Sequence, residues 1–140
     1  MSMYSQEQVK EATLEYFSGD ELATNVFMTK YCLRDKKGNF IEKTPDDMHK
    51  RIAKEFARME DKFITRKSNH LTESEIYSYL KDFKYIVPQG SPMMGIGNDY
   101  VNVSLSNCVV VDSPEDSVSS IVDAGKDLAN LFKRRCGVGL

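Results

Sequence analysis

The period of the hydrophobic pattern changes near residue 85, and this change constrains the fold more than any other feature of the chain. Before it, the stretch "TPDDMHKRIAKEFARMEDKF" gives the clearest helix signal, with Thr44 as N-cap and Pro45 at the first helical position. Apolar residues then recur at helical spacing as one stripe: Met48, Ile52, Phe56, Met59 and Phe63. The pattern predicts a helical domain over residues 1–84 and a different kind of domain over residues 85–140.

Three further caps support the helical assignment of the first half. Ser5 with Gln8 and Thr72 with Glu75 form capping-box patterns, and Asp20 is placed to cap a second helix after Gly19. We therefore expect four helices before about residue 84. The histidines, His49 and His70, each stand alone among polar neighbours, which is typical of surface positions without a ligand role.

The second half carries strand and turn signals. Glycines and prolines between residues 86 and 100 predict a long, tightly turned loop. Residues 101–105 alternate between apolar and polar, and Val109 to Val111 form a continuous apolar run, which predicts a strand covered on both faces. Ser113-Pro114 then predicts the start of a helix that runs to about Arg134. No second strand is expected in "KRRCGVGL", where the glycines fit a helix cap and turn, so the βαβ unit is expected to be incomplete.

Charge and hydropathy exclude several classes of function. The net charge is −2, so we expect no nucleic-acid partner, because no overall positive field is present. No apolar run approaches the roughly 18 residues that a membrane span requires. The polar start "MSMYSQEQVKEA" does not fit a secretory signal, and we predict a cytoplasmic protein.

The chain contains three cysteines, Cys32, Cys108 and Cys136, at spacings that support neither a disulfide framework nor a metal site. Cys108 lies in "SNCVVVD", at the start of the apolar run. Two interpretations are open for this thiol. Its local pattern favours a small buried residue, whereas a reducing compartment makes a reactive thiol plausible.

Five stretches, taken together and in order, carry a resemblance to a known family. These are "FSGDELATNVFMTKYCLRD", "TPDDMHKRIAKEFARMEDKF", "VPQGSPMMGIGN", "SLSNCVVVDSPEDSVSSI" and "LFKRRCGVGL". The chain resembles the N-terminal part of the catalytic large subunit of ribonucleotide reductase. The resemblance implies an α+β fragment, in which a helical domain precedes the first strand-helix unit of a ten-stranded α/β barrel. It also implies an allosteric, nucleotide-binding oxidoreductase of deoxyribonucleotide biosynthesis and DNA replication, which uses thiyl-radical chemistry.

The resemblance assigns roles to four residues of the substrate site. Cys108 resembles the first of two redox cysteines, which form a disulfide in each turnover and therefore need an accessible thiol. Ser91 resembles the hydroxyl residue that contacts the substrate phosphate. Asn107 matches a substrate-contacting position and is expected to act through its backbone. Gly137 resembles the glycine whose bare Cα lets the nucleotide lie against the chain.

The resemblance also implies an allosteric site and a dimer interface. Asp116, with Ser117 and Val118 beside it, falls where the family binds the specificity effector. Asp116 also has a structural interpretation, as the N3 acid of the helix that begins near Ser113-Pro114. The helix over residues 114–134 resembles the one that packs in the subunit homodimer.

The resemblance implies partners for this chain. The radical-bearing cysteine and the second redox cysteine are expected in the remainder of the large subunit, so the chain is expected to be inactive alone. The radical is expected from a small metal subunit or from adenosylcobalamin. No cofactor or metal is expected to be bound by these 140 residues. No ATP-cone is expected. A ribonucleoside-diphosphate reductase is the primary hypothesis, although the residues do not distinguish di- from triphosphates. The alternatives are a non-catalytic interaction or regulatory module, and a freestanding thiol redox enzyme.

Overall fold

A computed structural model describes residues 3–63 and 70–140 of the chain. The helices are α1 (Gln6–Tyr16), α2 (Glu21–Val26), α3 (Pro45–Glu60), α4 (Glu73–Leu80), α5 (Gly90–Gly95) and α6 (Val118–Lys133). The strands are β1 (Cys108–Val110) and β2 (Gly137–Gly139). A π-helical turn, Phe27–Tyr31, continues α2, and a 3-10 turn, Lys81–Phe83, follows α4. Within the described residues, no helix combines the length and apolar character needed to cross a membrane.

The predicted caps of the first half are confirmed. The Ser5 hydroxyl accepts a hydrogen bond from the Gln8 amide at 3.2 Å, and the Gln8 side chain accepts one from the Ser5 amide at 2.9 Å. Asp20 accepts from the backbone of α2, and Thr72 shares a capping box with Glu75. These side chains satisfy amides that no helical carbonyl can reach, which explains why each helix begins where it does.

The core of the helical unit forms where α3 packs against α4 and the N-terminal helices. Its fully or nearly fully buried apolar residues include Val9, Phe27, Met28, Phe40, Met48, Ile52, Ala53, Ile76 and Leu80. The apolar stripe of α3 enters this core only in its first half, through Met48 and Ile52. Phe56 is 46% exposed and Phe63 is largely exposed, so the prediction of one continuous buried stripe is wrong at its C-terminal end.

His49 is buried, which contradicts the expected surface position. Its ring packs edge-on against Phe83, with the ring centroids 4.5 Å apart. Phe83 and its neighbour Asp82 both have positive φ, and this turn folds the Phe83 ring back over α3. Neither ring nitrogen of His49 has a hydrogen-bond partner in the described part of the chain. The local sequence could not reveal this, because the covering residue lies more than 30 positions away.

The segment between the two halves differs from its prediction in two ways. The predicted loop contains the six-residue helix α5. Residues 101–107 form no strand in the described structure. The alternation of apolar and polar residues in this segment is explained by packing. A Cβ built on Gly95 would lie 2.5 Å from Val103 and 2.7 Å from Leu105, so these two alternating side chains pack together against the bare Cα of Gly95.

The C-terminal part forms a complete parallel βαβ unit, so the expectation of a missing second strand is wrong. Strands β1 and β2 pair in parallel, with Cys108 opposite Gly137 and Val110 opposite Gly139. "GVG" is thus a strand and not a helix cap. The predicted coverage of both strand faces is also wrong, because Val110 is 84% exposed. Together the two halves form an α+β architecture.

Helix α6 begins four residues later than predicted, after Ser117 rather than at Pro114. The Ser117 side chain accepts a hydrogen bond from the Ser120 amide and is the N-cap. Asp116 therefore lies before the helix, and its interpretation as the N3 acid is wrong. The later start has a local cause, since Ser117 supplies the capping oxygen and the Glu115 amide bonds to the Ser120 side chain.

A pair of substitutions on α3 tests where the core ends. Ile52→Ala should destabilise the chain by about 2–5 kcal/mol, because it leaves a cavity in a fully buried site. Phe56→Ala, one turn later on the same stripe, should cost about 1 kcal/mol or less, since half of that side chain is already in water. Urea denaturation of both variants measures the difference. Equal losses would show that the core extends along the whole of α3.

His49 should make the stability of the chain depend on pH. Burial lowers the pKa of His49 below its ordinary value of 6.5, and the nearby carboxylates of Asp46 and Asp82 only partly oppose this. The unfolded chain therefore takes up a proton below pH 6.5 that the folded chain does not. The free energy of unfolding should therefore be highest above pH 6.5, where His49 is neutral in both states. It should decrease as the pH falls from there toward the lowered pKa of the folded state.

The measurement is the urea midpoint at a series of pH values from about 5 to 8, a range that includes the ordinary histidine pKa of about 6.5. His49→Leu should remove most of the slope, and His70→Gln, which changes the more exposed histidine, should preserve it. A slope that survives in His49→Leu would assign the pH dependence to other groups.

Candidate functional site

The Cys108 thiol is exposed at the first position of β1. Its sulfur lies 3.6 Å from the point that a Cβ on Gly137 would occupy, so the thiol stands directly beside the bare Cα of the neighbouring strand. The Asn107 carbonyl lies 3.4 Å from the same point. A side chain on Gly137 would therefore lie in contact with both groups. Because Cys108 is exposed, its interpretation as a buried core residue is wrong.

Asn107 links this strand to the loop that carries Ser91. Its side-chain oxygen accepts a hydrogen bond from the Ser91 amide at 2.8 Å, and its side-chain nitrogen donates to the Gln89 side chain at 2.8 Å. Its backbone carbonyl accepts a hydrogen bond from the Gly137 amide at 2.7 Å. The structure thus brings Ser91, Asn107, Cys108 and Gly137 into one neighbourhood, and it gives the Asn107 side chain a structural use.

A cavity of about 440 Å³ opens beside this network. Its lining residues are Thr29, Lys30, Tyr31, Gly90, Ser91, Met94, Asn107 and Arg135. Lys30 and Arg135 are cationic, and none of these lining residues is acidic. A second cavity, of about 280 Å³, shares Lys30 and Arg135 and adds Arg34 and Lys36 with a single carboxylate, Asp35. In a chain of net charge −2, this concentration of positive charge makes the two cavities a favourable place for an anionic ligand.

The sequence did not single out Lys30 or Arg135. Arg135 follows a helix end, where a basic residue is favourable without any ligand, and Lys30 lies in a helical stretch near the other end of the chain. The two residues share a cavity because the π-helical turn, Phe27–Tyr31, packs against α5, and Arg135 donates a hydrogen bond to the Met94 sulfur of α5. The order of charged residues along the sequence does not predict that these two side chains line the same cavity.

The other two cysteines are buried. The Cys32 thiol donates a hydrogen bond to the Glu42 carbonyl at 3.2 Å, and burial, together with the Glu42 carboxylate, raises the pKa of Cys32 to about 12. The Cys136 thiol donates to the Ser106 carbonyl at 3.4 Å. Because a thiolate is the reactive form of cysteine, Cys32 is unsuited to nucleophilic or exchange chemistry at neutral pH.

The candidate effector residues lie apart from the cavity beside Ser91. Asp116, Ser117 and Val118 are exposed at the start of α6, and none of them lines that cavity. The Ser117 hydroxyl is engaged as the N-cap of α6. Along α6 no residue of the described structure is fully buried, and Val118, Ile121 and Val122 are exposed apolar residues. This helix therefore presents an uncovered apolar face.

Metal ligation has little support in the described structure. Over residues 3–63 and 70–140, His, Cys, Asp and Glu side chains form no group of three or more that could hold a metal ion.

The helical unit agrees with what comparison with known families finds. Residues 17–99 match the family model described as ribonucleotide reductase, all-alpha domain. This match covers more than half of the 140 residues, and the chain belongs to the family of ribonucleotide reductase large subunits. Searches of curated proteins and of solved structures found no match.

Selective alkylation should distinguish the three thiols. Iodoacetamide at mildly alkaline pH should modify Cys108 at least about tenfold faster than Cys32 or Cys136, because only the Cys108 thiol is exposed and the Cys32 thiolate is strongly disfavoured. Peptide mapping by mass spectrometry measures the rate at each site. Cys108→Ser is the control and should leave the folded chain almost unlabelled. Rapid labelling of Cys32 would contradict the burial described above.

Proposed function

We propose that this chain forms part of a ribonucleotide reductase and that Cys108 is one of its two reducing thiols. The observation that carries the proposal is the place of the Cys108 thiol: exposed, on a parallel strand, beside the bare Cα of Gly137 and next to a basic cavity. Membership of the large-subunit family supports the reaction class.

The proposed step conserves atoms and electrons. Two thiols, that of Cys108 and one supplied by the remainder of the large subunit, are oxidised to a disulfide and release two electrons and two protons. The ribose carbon loses its hydroxyl group as water and gains a hydrogen, so a ribonucleotide becomes a deoxyribonucleotide. The disulfide requires Cα atoms about 4.4–6.8 Å apart, and a strand is a rigid element that can hold one thiol at that separation.

We infer that the cavity beside Ser91 holds the substrate phosphates. Ser91 supplies a hydroxyl group, Lys30 and Arg135 supply positive charge, and Gly137 leaves room for the nucleotide beside Cys108. Guanidinium and ammonium groups recognise phosphate oxygens through charge-assisted hydrogen bonds, which favours a nucleoside di- or triphosphate over an uncharged nucleoside.

We further propose a division into a helical domain, residues 1–84, and the start of a ten-stranded barrel, residues 85–140. The exposed faces of β1 and α6 support this, since a two-stranded sheet needs further strands or covering helices for stability. The remaining barrel would cover β1, a second large subunit would pack on α6, and Asp116, Ser117 and Val118 would contact the allosteric nucleotide. A metal-containing subunit or adenosylcobalamin would generate the radical.

The deciding experiment is reconstitution. The chain is combined with a polypeptide that carries the remaining barrel and with the radical-generating component, and deoxynucleotide formation is measured. Cys108→Ser should lower the rate by at least about 10³-fold, the scale expected for loss of an essential reacting group. Cys136→Ala changes a buried cysteine to a small residue of similar character and should keep most of the activity.

Full activity of Cys108→Ser would overturn the assignment of Cys108 as a reducing thiol. Failure of the unaltered chain to bind the remaining barrel or to support deoxynucleotide formation would overturn the reductase proposal. That result would favour the alternative function, a non-catalytic interaction or regulatory module. The uncovered apolar face of α6 is the feature such a module would use.

A further inference from the structure

A buried ion pair connects the helical core to the loop that carries Ser91. Arg51 of α3 donates a hydrogen bond from Nε to Glu42 Oε1 at 2.5 Å, and the two side chains are only 11% and 6% exposed. Burying such a pair requires the removal of both charges from water, which is costly, so further hydrogen bonds must compensate.

The remaining donors of Arg51 are directed at α5. Its Nη2 donates to the Met93 carbonyl at 2.8 Å, and its Nη1 donates to the Ile96 carbonyl. Carbonyls at the C-terminal end of a helix lack intrahelical partners, so the guanidinium satisfies groups that would otherwise need water. A planar guanidinium can bind a carboxylate and two carbonyls at once, which an ammonium group cannot do with the same geometry.

Glu42 ties the same pair to the other side of the core. Its Oε2 accepts a hydrogen bond from the Leu33 amide at 2.9 Å, and its backbone carbonyl accepts one from the Cys32 thiol. The Leu33 amide therefore holds the carboxylate independently of Arg51. The guanidinium has a fixed partner on the side opposite α5.

Gly97 shows how closely the loop lies on Arg51. A Cβ at Gly97 would lie 2.9 Å from Arg51 Cγ, and Gly97 has a φ of +69°, a conformation that other residues rarely adopt. The chain can therefore wrap around the arginine stem at this position only because it has glycine there.

Helix α5 has Arg51 at one end and the candidate substrate site at the other. Its second residue is Ser91, whose amide donates to Asn107 beside Cys108, while its last turn is held by the guanidinium. We propose that Arg51 is a positioning residue: through its pair with Glu42 it holds α5 so that Ser91 and Asn107 keep their places beside Cys108. The consequence for substrate rests on the proposed function above, whereas the holding of α5 does not.

Hydrogen exchange on the full chain tests the holding of α5 directly. The reporters are amides that make hydrogen bonds within the loop, at Ser91, Met93, Ile96 and Asn98. In Arg51→Lys they should exchange at least about tenfold faster, because a lysine keeps the charge but cannot make the same set of bonds. Amides of α4 should change by less than about twofold, since the apolar core is unaltered.

Arg58 offers a matched control on the same helix. It pairs with Glu55 at 2.5 Å, but this pair is more exposed, and the hydrogen bonds of the Arg58 side chain go to Glu55 and Met59 on the same helix. Arg58→Lys should leave the loop amides unchanged. Equal acceleration in Arg51→Lys and Arg58→Lys, or none in either, would overturn the proposal.

A double variant covers the case in which a single substitution unfolds the chain. Arg51→Met with Glu42→Gln removes both charges together and so avoids an unpaired buried carboxylate. It should fold and should still show fast exchange confined to the loop. Slow exchange in the loop of this folded double variant would overturn the holding of α5.

The reconstituted enzyme tests the effect on substrate. Arg51→Lys should raise the KM for the nucleotide by about tenfold or more, with a smaller change in kcat, because a displaced Ser91 weakens binding. An unchanged KM together with a loosened loop would overturn the positioning role. If Cys108→Ser proves fully active, the proposed function fails, but the exchange result still decides whether Arg51 holds α5.

Discussion

The buried face of α3 is the constraint on which the rest of the structure depends. Met48 and Ile52 bring α4 and the N-terminal helices together around one apolar core. Arg51 lies beside them on the same helix and reaches across to the carbonyls that end α5. One helix therefore supplies both the hydrophobic attachment of the first half and the polar attachment of the loop that leads to the candidate site.

The C-terminal βαβ unit depends on its surroundings far more than the helical unit does. Its two strands are three residues long, and Val110 is exposed together with several apolar residues of α6, which are Val118, Ile121, Val122 and Phe132. Two short strands alone bury too little apolar surface to be stable. The network of Asn107 with Ser91 and Gly137 connects this unit to α5, and through α5 to α3. The candidate site thus lies at the junction between a well-packed unit and an uncovered one.

Sequence reasoning located the helices of the first half but missed α5 and the contacts between distant segments. The caps at Ser5, Asp20 and Thr72 were predictable, because each involves residues within three positions of one another. The burial of His49 and the shared cavity of Lys30 and Arg135 were not predictable, since each depends on a partner far away in the chain. The second strand was missed for a related reason: "GVG" is too short and too rich in glycine to signal a strand, and pairing with β1 defines it.

The sequence by itself determined where the four helices of the first half begin, because those starts depend on local capping chemistry. It also carries the motifs on which the family resemblance rests. Only the tertiary structure decided which thiol is exposed, where the basic cavity forms and which residue holds α5. Burial and charge pairing arise only when segments that are distant in the sequence come into contact in the folded chain. Gly97 illustrates both levels: its residue type is written in the sequence, but the reason for it, the close approach of Arg51, exists only in the folded chain.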